Sequence, residues 1–266
     1  MNKLTAHPVI IFTASFLIVI AVYFLMTRTS TSSIINDAAS LYEQGEVATT
    51  VFEREQKFNN ALQLYLDLEK TFDPRYSNGK IYYNIANTFY QLNQYPFAIL
   101  YYAKALTLNN DARIHENLQT VREKANVSPP QYSASLIETI SLKNWLSLPT
   151  RLQLFGLSAL ISFALFSLII WRYLPLVGMI GGLFACIAFF FLATSVLGLL
   201  FSPKEAVVVN SEYLRKGASP EFASVIEEPI RAGSIVRVVG QEKNWLKVLY
   251  HENKVGFIPE KSLRKV

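Results

Sequence analysis

The run LQLFGLSALISFALFSLIIWRYLPLVGMIGGLFACIAFFFLATSVLGLLF, residues 152–201, decides how the chain is organised. Its fifty residues are almost wholly apolar and are interrupted once, at Arg172-Tyr173-Leu174-Pro175. Leu152 to Trp171 is twenty residues without a charge, with Gln153 at its start as the one strongly polar side chain. That is about the length at which an α-helix crosses a hydrocarbon layer. Leu174 to Phe201 carries no ionisable group other than Cys186, whereas one mid-membrane Arg or Asp costs about 2.5–3.5 kcal/mol on insertion. Both segments therefore read as membrane-spanning helices folded back on each other at Arg172. A helical hairpin buried in a water-soluble core is the alternative, but such helices are seldom apolar on every face for so long.

Composition agrees. The hydrophobic fraction is 51% and the mean hydropathy +0.24, and the excess sits in three segments rather than being spread along the chain. The net charge of +5 is unevenly placed: residues 28–151 hold twelve Lys/Arg against twelve Asp/Glu, and residues 202–266 hold eleven against eight. The first polar block is neutral and the second only mildly basic, so neither has the dense basic face of a nucleic-acid binder. The lone Cys186 lies inside the second apolar segment, which excludes an intramolecular disulfide and a thiol metal site.

At the start, Lys3 precedes an apolar run from Pro8 to Met26. The run is longer than a usual signal-peptide core, and Thr27-Arg28-Thr29-Ser30 offers no small-x-small cleavage pattern, so it reads as an uncleaved signal anchor. Positive charge ahead of the run favours a cytoplasmic amino terminus. The block that follows then lies outside the cytoplasm, Arg172 turns on the cytoplasmic side, and the C-terminal block is outside again. Lys143 and Arg151 pull the other way.

Between these apolar segments, apolar and small residues fall at Tyr82, Ile85, Ala86 and Phe89, and again at Ala98, Tyr101, Tyr102 and Ala105. Both sets follow the i, i+3, i+4, i+7 spacing of a helix with one buried stripe. Gln91 to Pro96 is a polar turn, with Pro96 in the first turn of the second helix. Counted from Gly79, this pattern resembles the 34-residue tetratricopeptide repeat. Tyr82 stands at its first aromatic position, Ile85-Ala86 at its Leu-Gly pair, Phe89 at its Tyr, Ala98 at the small site, Tyr102 at the Phe and Ala105 at the second Ala. Asn110 replaces the closing Pro. A looser copy spans about Ser33 to Asp73, where Ala61 and Tyr65 repeat the spacing of Ala98 and Tyr102, with its helices separated by an extra stretch from Val47 to Gln56. A third helix from Ala112 to Ala125 caps the stack with Ile114, Leu118 and Val121 inward. In such a stack the side chains left off the packed stripe line a concave face; here they are Tyr83, Asn84, Asn87, Tyr90 and Gln91. Asn and Tyr suit a peptide backbone or carboxylate, and equally suit a solvated helix face; the absence of Lys argues against a basic carboxylate clamp.

Ser128-Pro129-Pro130 ends the stack, and the segment around Trp145 reads as a short helix at the membrane surface, where indole prefers to sit. In the second span Gly178 and Gly182 are four apart, a spacing that lets helices approach closely, either against the neighbouring span or between copies. After Pro203 the pattern changes to short strands at Val207–Val209, Val225–Ile226, Ile235–Val239, Trp245–Leu249 and Gly256–Ile258. Leu214-Arg215-x-Gly217-x-Ser219-Pro220, Ala232-Gly233, Asn244-Trp245-x-Lys247-Val248 and Gly256-Phe257-Ile258 resemble bacterial SH3-like domains. The resemblance implies a small all-β barrel that binds proteins or cell-wall peptides, with Arg215, Trp245 and Phe257 on its ligand face; Trp245 and Phe257 also suit a core.

The order of parts resembles the BatE type of bacterial aerotolerance protein, a family implied to work with von Willebrand A-type membrane proteins and a MoxR-type ATPase in stress tolerance. The expected fold is a multidomain membrane protein. A signal anchor occupies 1–31 with its span at about 8–26, an all-α tetratricopeptide-type domain 32–125, and a linker with an interfacial helix 126–151. Two transmembrane helices follow at 152–171 and 174–201, then an SH3-like barrel over 202–266. Catalysis finds little support: His7, His115 and His251 lie in three separate segments, and there is no phosphate loop ending in Lys-Ser/Thr and no HExxH. Glu227-Glu228 reads as a solvated loop pair, and spans without charge argue against a transporter pathway. No cofactor or metal is expected. The sequence thus points to a membrane-anchored adaptor in the inner membrane of a bacterium, its helical and SH3-like parts on the periplasmic side, in contact with the lipid bilayer and with protein partners and not with nucleic acid. A cell-wall anchor or sensor whose barrel binds peptidoglycan is the alternative.

Overall fold

The computed structural model describes residues 33–71, 79–132, 146–171, 175–201, 203–251 and 254–266. The expected signal-anchor span at 8–26 and the interfacial segment around Trp145 lie outside the described residues. The chain divides into two compact units, Met1–Phe72 and Asp73–Val266.

The first unit is a helical hairpin of α1 (33–47) and α2 (Val51–Thr71). The extra stretch expected from Val47 to Gln56 is not a separate connection, because only residues 48–50 interrupt the helices. The Thr50 hydroxyl accepts the Glu53 N–H at 3.2 Å, and this Thr-x-x-Glu start nucleates α2 inside the expected insertion. Phe58, Ala61, Leu62 and Tyr65 form the buried stripe of α2. Gly45 lets the helices close, since a Cβ there would stand 2.8 Å from the Phe58 ring.

The second unit opens with α3 (Lys80–Gln91), α4 (Tyr95–Leu108) and α5 (Ala112–Ala125). Ala86, Ala98 and Ala105 are all fully buried and bring α3 and α4 together. Phe89 stacks on Phe97 at 5.3 Å and on Tyr101 at 5.4 Å. Asp111 caps α5 by accepting the Arg113 N–H at 2.9 Å, and Ile114, Leu118 and Val121 face inward.

Two helices long and apolar enough to cross a membrane follow, α6 (Leu148–Trp171) and α7 (Pro175–Phe201), packed along each other. The first starts at Leu148 rather than at the expected Leu152. Ser147 caps it, its Oγ accepting the Thr150 N–H at 3.4 Å, so Arg151 falls inside the helix. Arg151 is only 4% exposed and its Nη1 donates to the Thr194 carbonyl at 2.8 Å. Of the expected packing pair Gly178 and Gly182, Gly182 stands off the contact with α6, and the neighbouring Gly181 makes it instead. A Cβ on Gly182 would meet nothing within 4 Å, whereas one on Gly181 would stand 3.4 Å from Leu165 Cβ. Ser162 Oγ donates to the Gly181 carbonyl at 3.0 Å. Gly181, Ala188 and Ser195 are buried at seven-residue intervals, the repeat that keeps one seam against a neighbouring helix.

The chain ends in an antiparallel sheet of order β4-β3-β2-β1-β5. Its strands are β1 (Lys204–Val208), β2 (Ile235–Glu242), β3 (Trp245–Tyr250), β4 (Lys254–Pro259) and β5 (Leu263–Lys265). Val225–Ile226, expected as a strand, instead lies in a bend. The Val225 N–H donates to the Leu214 carbonyl at 2.6 Å and both side chains pack at the edge of the sheet's core. Leu263–Lys265, too short to show a period, pairs with β1 through Ala206 to Val208. Ala206, Val208, Val236, Leu246, Val248 and Ile258 form the core of this sheet.

β1 packs on α4. Gly233 adopts φ 97°, and a Cβ there would come 2.9 Å from Ile99 Cδ1. Residues after α5 tie the two together: Arg231 Nη1 donates to the Asn126 carbonyl at 3.1 Å and Tyr132 Oη to the Ile235 carbonyl at 2.9 Å.

Gly181→Leu should destabilise the detergent-solubilised protein by about 1–3 kcal/mol through overpacking, while Gly182→Leu should change it by less than about 0.5 kcal/mol. Thermal melting followed by circular dichroism checks both.

Candidate functional site

Helix α3 carries the first set of expected site residues. Its buried stripe is Tyr82, Ile85, Ala86 and Phe89, which leaves Tyr83, Asn84, Asn87, Tyr90 and Gln91 half-buried on the flank. The structure splits these five by role. Asn117, from α5, donates through Nδ2 to Tyr83 Oη at 3.1 Å and to Asn87 Oδ1 at 3.3 Å. Tyr102 Oη also donates to Asn87 Oδ1, and the Tyr83 and Tyr102 rings meet edge-on at 6.0 Å. Tyr83 and Asn87 are therefore built into a polar joint that spans α3, α4 and α5. Tyr90 leans on Tyr95 at 6.1 Å. Asn84 lies on the same flank, and its carbonyl accepts the Thr88 hydroxyl at 2.8 Å; Gln91 closes the helix.

Beside Tyr83 is a small hollow of about 50 Å³ lined by Gly79, Lys80, Asp111 and Arg113. Arg113 and Asp111 form an ion pair at 2.7 Å. The hydrogen bonds from the Arg113 side chain and backbone hold the Asp111 carboxyl down at about 2. Periodicity read helix by helix missed Asn117, Lys80 and Arg113, because their convergence depends on how α5 lies against α3. Asn117 occupies the same helical face as Ile114, Leu118 and Val121, and that was the available signal.

The sheet carries the second set. A groove of about 540 Å³ is lined by Glu212, Arg215, Pro220, Trp245, Pro259 and Glu260, among others. Arg215 is fixed there by its backbone, its N–H donating to the Phe257 carbonyl at 3.0 Å and its carbonyl accepting the Phe257 N–H at 2.8 Å. Its Nη1 donates to the Phe222 carbonyl at 2.9 Å and its guanidinium lies 5.8 Å from the Tyr213 ring. Trp245 stands opposite Pro259 in the β3–β4 register. The structure thus brings Arg215 and Trp245 to one groove, while Phe257, on the same sheet face as Trp245 and opposite Lys247, lies beside that groove without lining it. The half-buried ring of Phe257 lies on the outer face of β4, 6.0 Å below Lys247 Nζ. Glu212 accepts the Ser262 hydroxyl at 3.1 Å and Glu260 accepts Gln241 Nε2 at 3.2 Å. Acidic and basic groups alternate around the aromatic shelf, which suits an uncharged or mixed-charge chain segment more than a strong ion.

Among the described residues no three His, Cys, Asp or Glu side chains gather into a metal-binding group. His115 Nε2 lies 2.6 Å from Asn110 Oδ1, and His251 Nδ1 accepts the Gln131 N–H at 3.3 Å.

Residues 79–111 match the tetratricopeptide repeat family model, so the hairpin of α3 and α4 is one such repeat, a unit that generally mediates protein–protein interaction. No curated protein and no solved structure matches the chain.

Asn117→Ala should lower stability by about 1–3 kcal/mol by stranding part-buried partners, with Tyr83→Phe costing less; chemical denaturation of the purified protein measures both. Because the Asp111 carboxyl is depressed in the folded state, its contribution is full above about pH 4 and is lost as pH falls toward 2. The melting temperature of Asp111→Asn should therefore fall less than that of the wild type between pH 5 and pH 2.

Proposed function

We propose that the protein is a non-enzymatic, membrane-anchored adaptor of a bacterial envelope complex. The observation that carries this reading is the tetratricopeptide repeat at residues 79–111 joined, on one chain, to an apolar hairpin that leaves its side chains uncovered. Phe163, Met179 and Phe189 are 72%, 74% and 72% exposed, and only 17% and 22% of the two candidate spans are buried. Helices of a soluble core turn such residues inward. Lipid is the solvent in which this surface has no cost, and a bilayer also explains why α6 and α7 satisfy their backbone groups internally.

An antiparallel hairpin returns the chain to the side from which it entered. In this reading α3–α5 and the C-terminal sheet stand on one side of the membrane, the periplasmic side when the amino-terminal segment is a signal anchor. The sheet is read as an SH3-like barrel: Arg215 bridges its β4 edge through paired backbone bonds to Phe257, and the loop that supplies Arg215 also walls the Trp245 groove. The repeat flank at Asn84, Tyr90 and Gln91 and the Arg215–Trp245 groove are the two partner surfaces. The resemblance to BatE-type proteins makes von Willebrand A-type membrane proteins and a MoxR-type ATPase system the first partners to examine. The separate engagement of His115 and His251 supports a binding role rather than a catalytic one.

Cross-linking in native membranes followed by affinity purification of the full chain tests this. A von Willebrand A-type membrane protein should co-purify with the wild type and fall at least fivefold with Asn84→Asp/Tyr90→Asp. Retention of the nanodisc-embedded chain on purified wall sacculi, abolished by Trp245→Ala and without any co-purifying membrane protein, would replace the adaptor with a peptidoglycan-binding anchor.

A further inference from the structure

Alternate residues of a strand face opposite sides of its sheet. In β1 and β2 the residues Ala206, Val208, Val236 and Val238 point into or against the sheet's own core. The intervening Val207 and Ile235 belong to the other face, yet they are 0% and 5% exposed. Helix α4 covers them, and it too is buried on more faces than a repeat helix needs, with Ile99 and Ala103 inaccessible as well as Ala98, Tyr102 and Ala105. Where this second core ends, between the α4–α5 pair and the β1–β2 corner, a cleft of about 410 Å³ opens, in the size range of small-molecule sites.

Apolar walls from Leu106, Leu118 and Ile235 meet two charged groups, Arg122 and Glu205, in that cleft. Arg122 has no hydrogen-bond partner for its buried Nε–H among the described residues. A desolvated guanidinium with an unmet donor is costly unless an anion or water completes it. Burial pushes the Arg122 side chain down from its ordinary value, and Glu205 is the charge that opposes the shift. Glu205 is therefore within electrostatic reach, but among the described residues no ion pair joins the two. Arg122 from α5 and Glu205 from β1, the latter with Arg237 opposite it in the strand register, complement a ligand that carries a carboxylate, an adjacent N–H and an apolar side chain.

We propose that this cleft binds the α-carboxylate and apolar side chain of an amino acid or peptide terminus, with the carboxylate on Arg122 and the side chain against Leu106, Leu118 and Ile235. Glu205 accepts from the ligand's α-amino or amide N–H. The site is separate from the α3 flank and from the Arg215–Trp245 groove, and it exists only while the sheet is docked on α4.

Isothermal titration of the full chain in nanodiscs with L-leucine, N-acetyl-L-leucine and L-leucinamide tests the assignment. At least one of the two carboxylates should bind and leucinamide should bind at least tenfold more weakly. Arg122→Gln should weaken the carboxylate at least tenfold, and Leu106→Trp, which fills the cleft and leaves both charges in place, should abolish binding. Tighter binding of leucine identifies a free amino acid, and tighter binding of the acetylated form a peptide terminus. Equal binding of leucinamide, unchanged binding in either folded variant, or no binding of either carboxylate would overturn the proposal.

Discussion

The proposed function rests on one apolar hairpin, which as a membrane span must be satisfied without water. Helices α6 and α7 expose large side chains around most of their circumference, so the hydrophobic effect does not hold them to each other in a bilayer. What remains is close packing and hydrogen bonding along a small-residue seam. Gly181, Ala188 and Ser195 supply the approach, Ser162 bonds the Gly181 carbonyl, and Arg151 bonds the Thr194 carbonyl across the two helices. These cross-helix bonds fix the register of the hairpin near its open end and part-way along it.

The connection between the helical block and the sheet is the second constraint. Two modules joined by a loop would ordinarily move independently. Here one strand pair is buried on both faces, α4 serves two cores, and Gly233 admits an approach that no side chain would allow. Hydrogen bonds from Arg231 and Tyr132 to backbone carbonyls then hold the connection in place. A tetratricopeptide repeat and a small sheet become one body, so the α3 flank and the Trp245 groove are held in a fixed relation. In the proposed adaptor reading, the two surfaces would be held as a single template.

The parts with a strong local period were legible in the sequence. Tyr82, Ile85, Ala86, Phe89 and Ala98, Tyr102, Ala105 revealed the repeat because helix packing selects small and aromatic residues at fixed spacing, and the fifty-residue apolar run revealed two long helices by its length and its lack of charge. The parts that depend on a neighbour were not legible. Gly181 and Gly182 differ only in which side of α7 they occupy, and nothing in the run says which side faces α6. Arg151 looked like a boundary residue because a charge at the end of an apolar run usually is one; the Thr194 carbonyl that accommodates it is more than forty residues away. Val207 and Ile235 fit a strand buried on one face as well as on two. At the candidate site, Arg215, Trp245 and Phe257 could be grouped from motif resemblance, and strand alternation places Phe257 on the same sheet face as Trp245; that the groove is lined by Arg215 and Trp245 and not by Phe257 follows from the loop that carries Arg215. Arg122 and Glu205 gain their meaning from tertiary contact alone, and Asn117 showed in the sequence only its place on the inward face of α5.

The central claim is that the hairpin crosses the membrane and delivers the repeat and the sheet to the same side. The most direct measurement places single cysteines at the exposed Glu116 of α5 and Glu242 of β2 in a Cys186→Ser background and labels intact spheroplasts with a membrane-impermeant maleimide. The account predicts that both positions react without permeabilisation and that the chain stays with the membrane pellet after carbonate extraction. Labelling of one position but not the other, or release of the chain by carbonate, would contradict it.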